Sequence, residues 1–143
     1  MRISEVVAGK ASQDVVTISP DATVRELIAL LARHNVGAAV VSTDGSSLAG
    51  IASERDVVRK LDGNDAALDA SVGEIMTSNV VTCRPDSTLD EVRTIMTDGR
   101  FRHLPVVDGD RVVGVVSIGD IVKNHIDQLQ FERDQLDSYV HQS

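Results

Sequence analysis

Two serine–aspartate pairs carry the only spacing in this sequence that suggests chemistry. Ser53 stands three residues before Asp56 in GIASERDVV (Gly50–Val58), and Ser117 three before Asp120 in GVVSIGDIV (Gly114–Val122). Both stretches read glycine, two apolar residues, serine, two variable residues, aspartate, two apolar residues. Where a strand turns into a helix, that spacing has two uses. Serine is a favoured N-cap, and an acid three residues on completes a capping box and suits the helix dipole. The same geometry can hold a ligand. Free amides at a helix start attract phosphate, a serine hydroxyl donates to it, and a carboxylate one turn inward accepts from two ribose hydroxyls, as an acid does in dinucleotide folds. The two uses are compatible.

The elements that would position these pairs are also repeated. With Pro20 set on Pro85, Val16-Thr17 falls on Val81-Thr82, Glu26 on Glu91 and Val41 on Val106; after a one-residue gap, Gly50, Ser53 and Asp56 fall on Gly114, Ser117 and Asp120. The lead-ins ISEVV and VGEIM agree as well. DVVTI and NVVTC read as short strands. PDATVRELIALLARHN reads as a helix with Val24, Leu27, Ile28 and Leu31 on one side, opened by Thr23 with Glu26 as Thr88 with Glu91 opens its counterpart. AAVVS and LPVVD, then LAGIAS and RVVGVVS, read as hairpin strands across TDGSS and DGD. A second helix starts near Glu54 or Ile118. Each half is thus strand, helix, strand, strand, helix, and is too small to hold a comfortable core alone. Residues 61–71, LDGNDAALDAS, read as a solvated connection.

The repeat, RHLPVVD (Arg102–Asp108) and the doubled serine–aspartate pattern resemble a tandem pair of CBS domains, a Bateman module, over residues 1–124. The resemblance implies an α/β (α+β) fold: two β-α-β-β-α motifs, 1–60 and 72–124, packed sheet to sheet about a pseudo-twofold and joined by 61–71, with a helical extension at 125–143. It implies an adenosine-containing ligand between the motifs as a regulatory ligand, with no cofactor. One cleft would use Ser117 and Asp120, Arg102 and His103 near the phosphates, and Ser19 with Val36, Gly37 and Ala38 around the adenine. The other would use Ser53, Arg55 and Asp56, with Arg84 and Phe101 reaching across. Arg102 can serve either cleft, and backbone near Thr17 and Thr82 would read the adenine edge. Gly37 and Ala38 replace the Arg102-His103 pair in the first half, and Gly119 replaces Arg55 in the second. The clefts are therefore unequal, with at most one tight site expected.

From Ile118 to Val140 the sequence has no Pro, and no Gly after Gly119. Ile121, Val122, His125, Ile126, Leu129, Leu136 and Val140 mark an apolar stripe at helical spacing. The expectation is a long helix that lies on its own domain, pairs in a homodimer, which is the favoured reading, or recruits another protein.

The remaining features narrow the function by exclusion. The 143 residues carry a net charge of −8 with few aromatics, which argues against general nucleic-acid binding. No apolar run is long enough to span a membrane and the first residues lack the apolar core of a secretory leader. The lone Cys83 replaces Ile18 of the other half, reads as a buried strand residue and fits a reducing cytoplasm. No nucleophile motif, phosphate loop or metal-ligand pair occurs. The reading is a non-catalytic regulatory module that signals to a protein partner. A ligand-independent dimeric adaptor working through the C-terminal helix is the alternative.

Overall fold

The computed structural model describes residues 1–10 and 14–141, so residues 142–143 of the expected extension and 11–13 of the first motif lie outside the described residues. The elements run α1 (Ile3–Ala8), β1 (Thr17–Ile18), α2 (Val24–His34), β2 (Ala38–Val41), β3 (Gly50–Ser53), α3 (Glu54–Leu61), a 3-10 turn (Asp65–Asp69), α4 (Val72–Ile75), α5 (Leu89–Gly99), β4 (His103–Asp108), β5 (Arg111–Ser117) and α6 (Ile118–Val140). The class is mixed α and β, with two small sheets and a long final helix.

The sheets repeat one plan. In the first, β2 pairs parallel with β1 and antiparallel with β3. In the second, β4 pairs antiparallel with β5, and the counterpart of β1 shrinks to a single parallel bridge, Cys83 to Val106. NVVTC therefore forms no strand, although the Cys83 amide and carbonyl still bond Pro105 and Val107 at 3.0 and 2.9 Å. Residues 61–71 are more ordered than a solvated loop: Leu61 ends α3 and Ala67 is buried in the 3-10 turn. That alanine fills a gap between helices which charge content alone does not reveal.

Capping sets the helix starts. Thr23 accepts from the Glu26 amide and Thr88 from the Glu91 amide, each acid answering back to its threonine's amide. These boxes satisfy amides that a helix start leaves unpaired. Helices α2 and α5 both end in a left-handed residue, Asn35 (φ 52) and Arg100 (φ 56). Asparagine suits that conformation; arginine does not.

The two lead-ins are exchanged. Ile3 and Val6 of α1 are buried with Leu89, Val92, Leu104, Val116 and Ile121 of the second half. Val72 and Ile75 of α4 are buried with Val24, Leu27, Val41 and Ala52 of the first. The hydrogen bonds match in pairs. The Ile3 and Ser4 amides donate to Ser87 and Pro85 carbonyls, while Val72 and Gly73 donate to Ala22 and Pro20. This exchange also accounts for the repeated glycines. A Cβ on Gly50 would lie 2.7 Å from the Thr77 carbonyl and 2.8 Å from Met76 Sδ, and one on Gly114 would lie 3.0 Å from Val7. Each glycine leaves room for the lead-in that crosses to its sheet.

Candidate functional site

Both serine–aspartate pairs close capping boxes. The Asp56 amide donates to Ser53 Oγ at 3.3 Å, and Asp56 Oδ2 accepts from the Ser53 amide at 2.9 Å and hydroxyl at 3.1 Å. Asp120 Oδ2 accepts from the Ser117 amide at 2.9 Å, and its own amide donates to Ser117 Oγ at 3.2 Å. The structural use of the spacing is therefore realised twice.

The surroundings of the two pairs differ. Above Ser53 and Asp56 lies a cavity of about 390 Å³, within the range of small-molecule sites. The start of α3 supplies Ser53, Glu54, Arg55, Asp56 and Arg59. Thr77, Asn79, Val80 and Val81 come from the chain beyond α4, and Gly99 to His103 from the end of α5 and start of β4. Four arginines, Arg55, Arg59, Arg100 and Arg102, thus border one cavity of an acidic chain. Phe101 folds back over Gly99, where a Cβ would run into its ring, so that a glycine lets the aromatic lie as it does. Gly37 admits Glu54 and His103, which a Cβ would meet at 2.9 and 3.2 Å. Burial holds the His103 imidazole below its ordinary pKa; Glu54 and Asp120 pull upward without overcoming that, and Lys10 and Arg102 add to the depression.

The other pair is occupied by the chain itself. Lys10 Nζ donates to Asp120 Oδ2 at 2.9 Å and to the Val115 carbonyl at 2.8 Å. Burial works to raise the Asp120 carboxyl, but the Ser117 amide and Lys10 outweigh it and hold the group below its usual range. In the aligned lead-ins, where Ile3 matches Val72, Lys10 matches Asn79. The first cleft therefore has an uncharged amide at the position where the second has a lysine.

Of the residues the sequence marked, Gly37, Ser53, Arg55, Asp56, Phe101, Arg102 and His103 line the cavity together. Ser117 and Asp120 lie at the Lys10 pair instead. Arg84 is on the surface and pairs with Asp86 at 3.3 Å, and the Ser19 hydroxyl accepts from the Asp21 amide. Thr17 and Ala38 belong to β1 and β2. Val36 is half-buried against the first core, and Thr82 is half-buried before the Cys83 bridge. Sequence reasoning missed Arg59, Arg100, Thr77, Asn79, Val80, Val81 and Lys10. Continuing the lead-in alignment past Met76 would have reached Asn79 and Lys10. Cys83 is buried, with its thiol pushed up to about 11 by desolvation. Among the described residues no cluster of three metal-ligating side chains occurs, and no helix is long and apolar enough to cross a membrane.

The family model for the CBS domain matches residues 3–63 and 72–127. CBS domain-containing protein CBSX3, mitochondrial, of Arabidopsis thaliana is 35% identical over 147 aligned residues, covering 96% of this chain and 71% of the relative. CBS domain-containing protein YhcV of Bacillus subtilis is 32% identical over 112, covering 78% and 79%. Among solved structures, a CBS-domain containing protein from Agrobacterium tumefaciens superposes with a TM-score of 0.82 at 41% identity, over 87% of this chain and 99% of that one. The CBS domain pair of protein MJ0100, in complex with 5′-methylthioadenosine and S-adenosyl-L-methionine, gives 0.79 at 26% identity, over 90% and 98%. The cytosolic domain of the Mg2+ channel MgtE, in complex with ATP, gives 0.66 at 30% identity, over 78% and 45%.

Proposed function

This chain belongs to the CBS-domain family as a tandem pair of motifs, and from that premise we propose that it is a regulatory module that binds an adenine nucleotide of the AMP, ADP or ATP class in the cavity over Ser53 and Asp56. The observation that carries this reading is the meeting of four arginines with the start of α3 in a chain of net charge −8. The global field repels anions, so a local concentration of guanidinium groups suits a phosphorylated ligand. The complexes of MJ0100 and MgtE with adenosine-containing ligands support the ligand class.

In this reading the phosphates meet Arg55, Arg59, Arg100 and Arg102, and Ser53 lies beside them at the helix start. Both hydrogen bonds from Ser53 fall on Asp56 Oδ2, so Oδ1 is the oxygen that meets the ribose hydroxyls. Phe101, Ile51, Val80 and Val81 give the base an apolar wall. Arg100 supports the reading from another direction. It stays left-handed at φ 56, where its counterpart Asn35 would be cheaper, and such a departure at a cavity points to use there. Binding shifts the packing of the two motifs, 1–60 and 72–124 across 61–71, and the shift passes to a protein partner of a homodimer in the cytoplasm; the module performs no catalysis itself. The buried, unpaired Cys83 supports a reducing compartment. The adaptor reading draws on α6, whose last three turns are exposed.

Thermal unfolding against AMP, ADP, ATP, NAD, S-adenosylmethionine and buffer tests the proposal. A nucleotide at a hundred times its Kd stabilises by about 2.7 kcal/mol, a rise of several degrees. The shift is expected to vanish in Asp56→Ala and to survive in Asp120→Ala. No shift at millimolar nucleotide, with the fold intact, would sink the proposal in favour of the adaptor.

A further inference from the structure

The two hairpins of the repeat close differently. The second carries its ladder to Asp108 opposite Arg111 and turns over the two residues between them. The first stops at Val41 opposite Gly50, and residues 42–49 fold into a loop. The one-residue gap in the alignment of the halves falls in this stretch.

The loop is tied to itself by short bonds. Asp44 Oδ1 accepts from the Ser46 and Ser47 amides at 2.9 and 2.7 Å and from the Ser42 hydroxyl at 3.1 Å. Ser42 is buried, and its Oγ accepts from the Gly45 amide at 3.0 Å. Gly45 is left-handed at φ 87, a conformation glycine adopts without strain. The Ser47 and Ser46 amides hold the Asp44 carboxyl well below the usual carboxylate range. With Ser46 fixed in this way, its carbonyl accepts from the Val112 amide at 2.8 Å.

Val112 belongs to the other half. With each lead-in assigned to the core it enters, the lead-in, cap and ladder bonds named above stay within one half. The two hydrophobic cores share no member among the described residues. The bond from Val112 crosses between the halves. It ties the start of β5 to the turn ahead of β3, and the far ends of those two strands carry Ser117 and Ser53. At the far ends the halves meet through side chains, where Gly37 of the first leaves room for His103 of the second. Val112 lies about 17 Å from Ser117 along an extended strand. A change of angle at the turn is therefore felt most at the clefts.

We propose that the loop 42–49 is a latch between the motifs: Asp44 fixes the Ser46 carbonyl, and the bond from Val112 holds the two halves at one angle. Breaking that bond frees the angle, and with it the shape of both clefts. The latch rests on the re-orientation of the motifs put forward above, but not on what the cavity binds.

Paired spin labels read the angle. Ala32→Cys on α2 and Thr94→Cys on α5 stand at exposed positions in different halves, and Cys83 is buried and stays unlabelled. Dilution with unlabelled chain confines the reading to pairs within one molecule. No nucleotide is added, so a cavity that fails to bind one leaves the outcome untouched. The parent is expected to give one narrow distribution of distances. Asp44→Ala, and separately deletion of Ser47, should broaden it and speed hydrogen exchange at the Val112 amide about fivefold or more, the weight of one hydrogen bond. Asp44→Asn keeps an acceptor oxygen and should retain the narrow distribution, as should Asp108→Ala in the shorter turn. A distribution that stays narrow in both Asp44→Ala and the deletion would overturn the proposal, whether or not Val112 exchange has quickened. So would a parent that is already broad, or equal broadening by Asp108→Ala.

Discussion

Lys10 Nζ stands 2.9 Å from Asp120 Oδ2, so one of the two carboxylates that the repeat places alike is already held by a cation of the chain. Asp56, its counterpart, lines an open cavity to which Asn79 also contributes. The asymmetry between the clefts thus lies in the lead-ins as well as in the strands. Replacing Lys10 with methionine keeps the stem and removes the charge. Calorimetric titration should then count two nucleotides per chain where the parent binds one. A count unchanged at one would mean that something other than Lys10 excludes the second. The partly buried pair itself is worth about 1 kcal/mol.

Arg100 offers a trade between stability and binding. An L-residue in the left-handed region costs about 1–2 kcal/mol that glycine avoids. Arg100→Gly should therefore raise the unfolding midpoint of the free protein while weakening nucleotide affinity about tenfold, the loss of one charge-assisted contact. Denaturant melts and titration of the same sample read both. Weakened affinity without added stability would remove the strain argument, and unchanged affinity would remove Arg100 from the site.

The acid response should be traceable to Asp120. Its carboxyl is held below the usual range in the fold, so the unfolded chain takes up the proton first. The stability this group adds is complete above its unfolded value, about 3.9, and is lost as pH falls through the lower folded value. Asp120→Asn should be less stable than the parent at pH 7, and the gap should close below about pH 4. A gap constant from pH 7 to pH 3 would contradict the assignment. His103 is also depressed, chiefly by burial. A phosphate placed beside it should raise its pKa, so binding near pH 6 should take up a fraction of a proton, measurable from the buffer dependence of the binding enthalpy.

The crossing glycines can be ranked. Gly50→Ala would set its methyl against the Thr77 backbone carbonyl, whereas Gly114→Ala would meet only the end of the Val7 side chain. Overpacking of this kind costs about 1–3 kcal/mol. Gly50→Ala should fall in the upper part of that range and Gly114→Ala in the lower. Chemical denaturation gives the order, and a reversal would mean that α1 is less able to shift than the α4 connection.

The sequence carried local structure well and cross-chain geometry poorly. Thr23 with Glu26, and Ser53 with Asp56, define their helix starts because capping is settled within four residues. The stripe on α2 likewise matched, since Val24, Leu27 and Leu31 are buried and Ile28 partly so. By contrast, nothing in ISEVV or VGEIM says which half its apolar residues will enter, as both cores accept the same side-chain volumes. Lys10 and Asn79 therefore passed unremarked, although the repeat contains them. Arg84 aligned with a site and lies elsewhere, because a long exposed side chain takes its direction from its neighbours, here Asp86. The stripe on α6 mixed two faces: Ile121 belongs to the domain and Val122 to the opposite side.

The exchanged lead-ins set an order on synthesis. Ile3 and Val6 leave the ribosome before either half is made, yet the core that receives them is finished by Val116 and Ile121, more than a hundred positions later. At about 5–20 residues per second, α1 waits several seconds for its seat. The first half receives Val72 and Ile75 much sooner. A nascent chain halted between the halves would hold one core nearly complete and one helix with nowhere to dock. Strand β5 is thus what secures α1, and the helix made ahead of the first half becomes native only once the second half is complete.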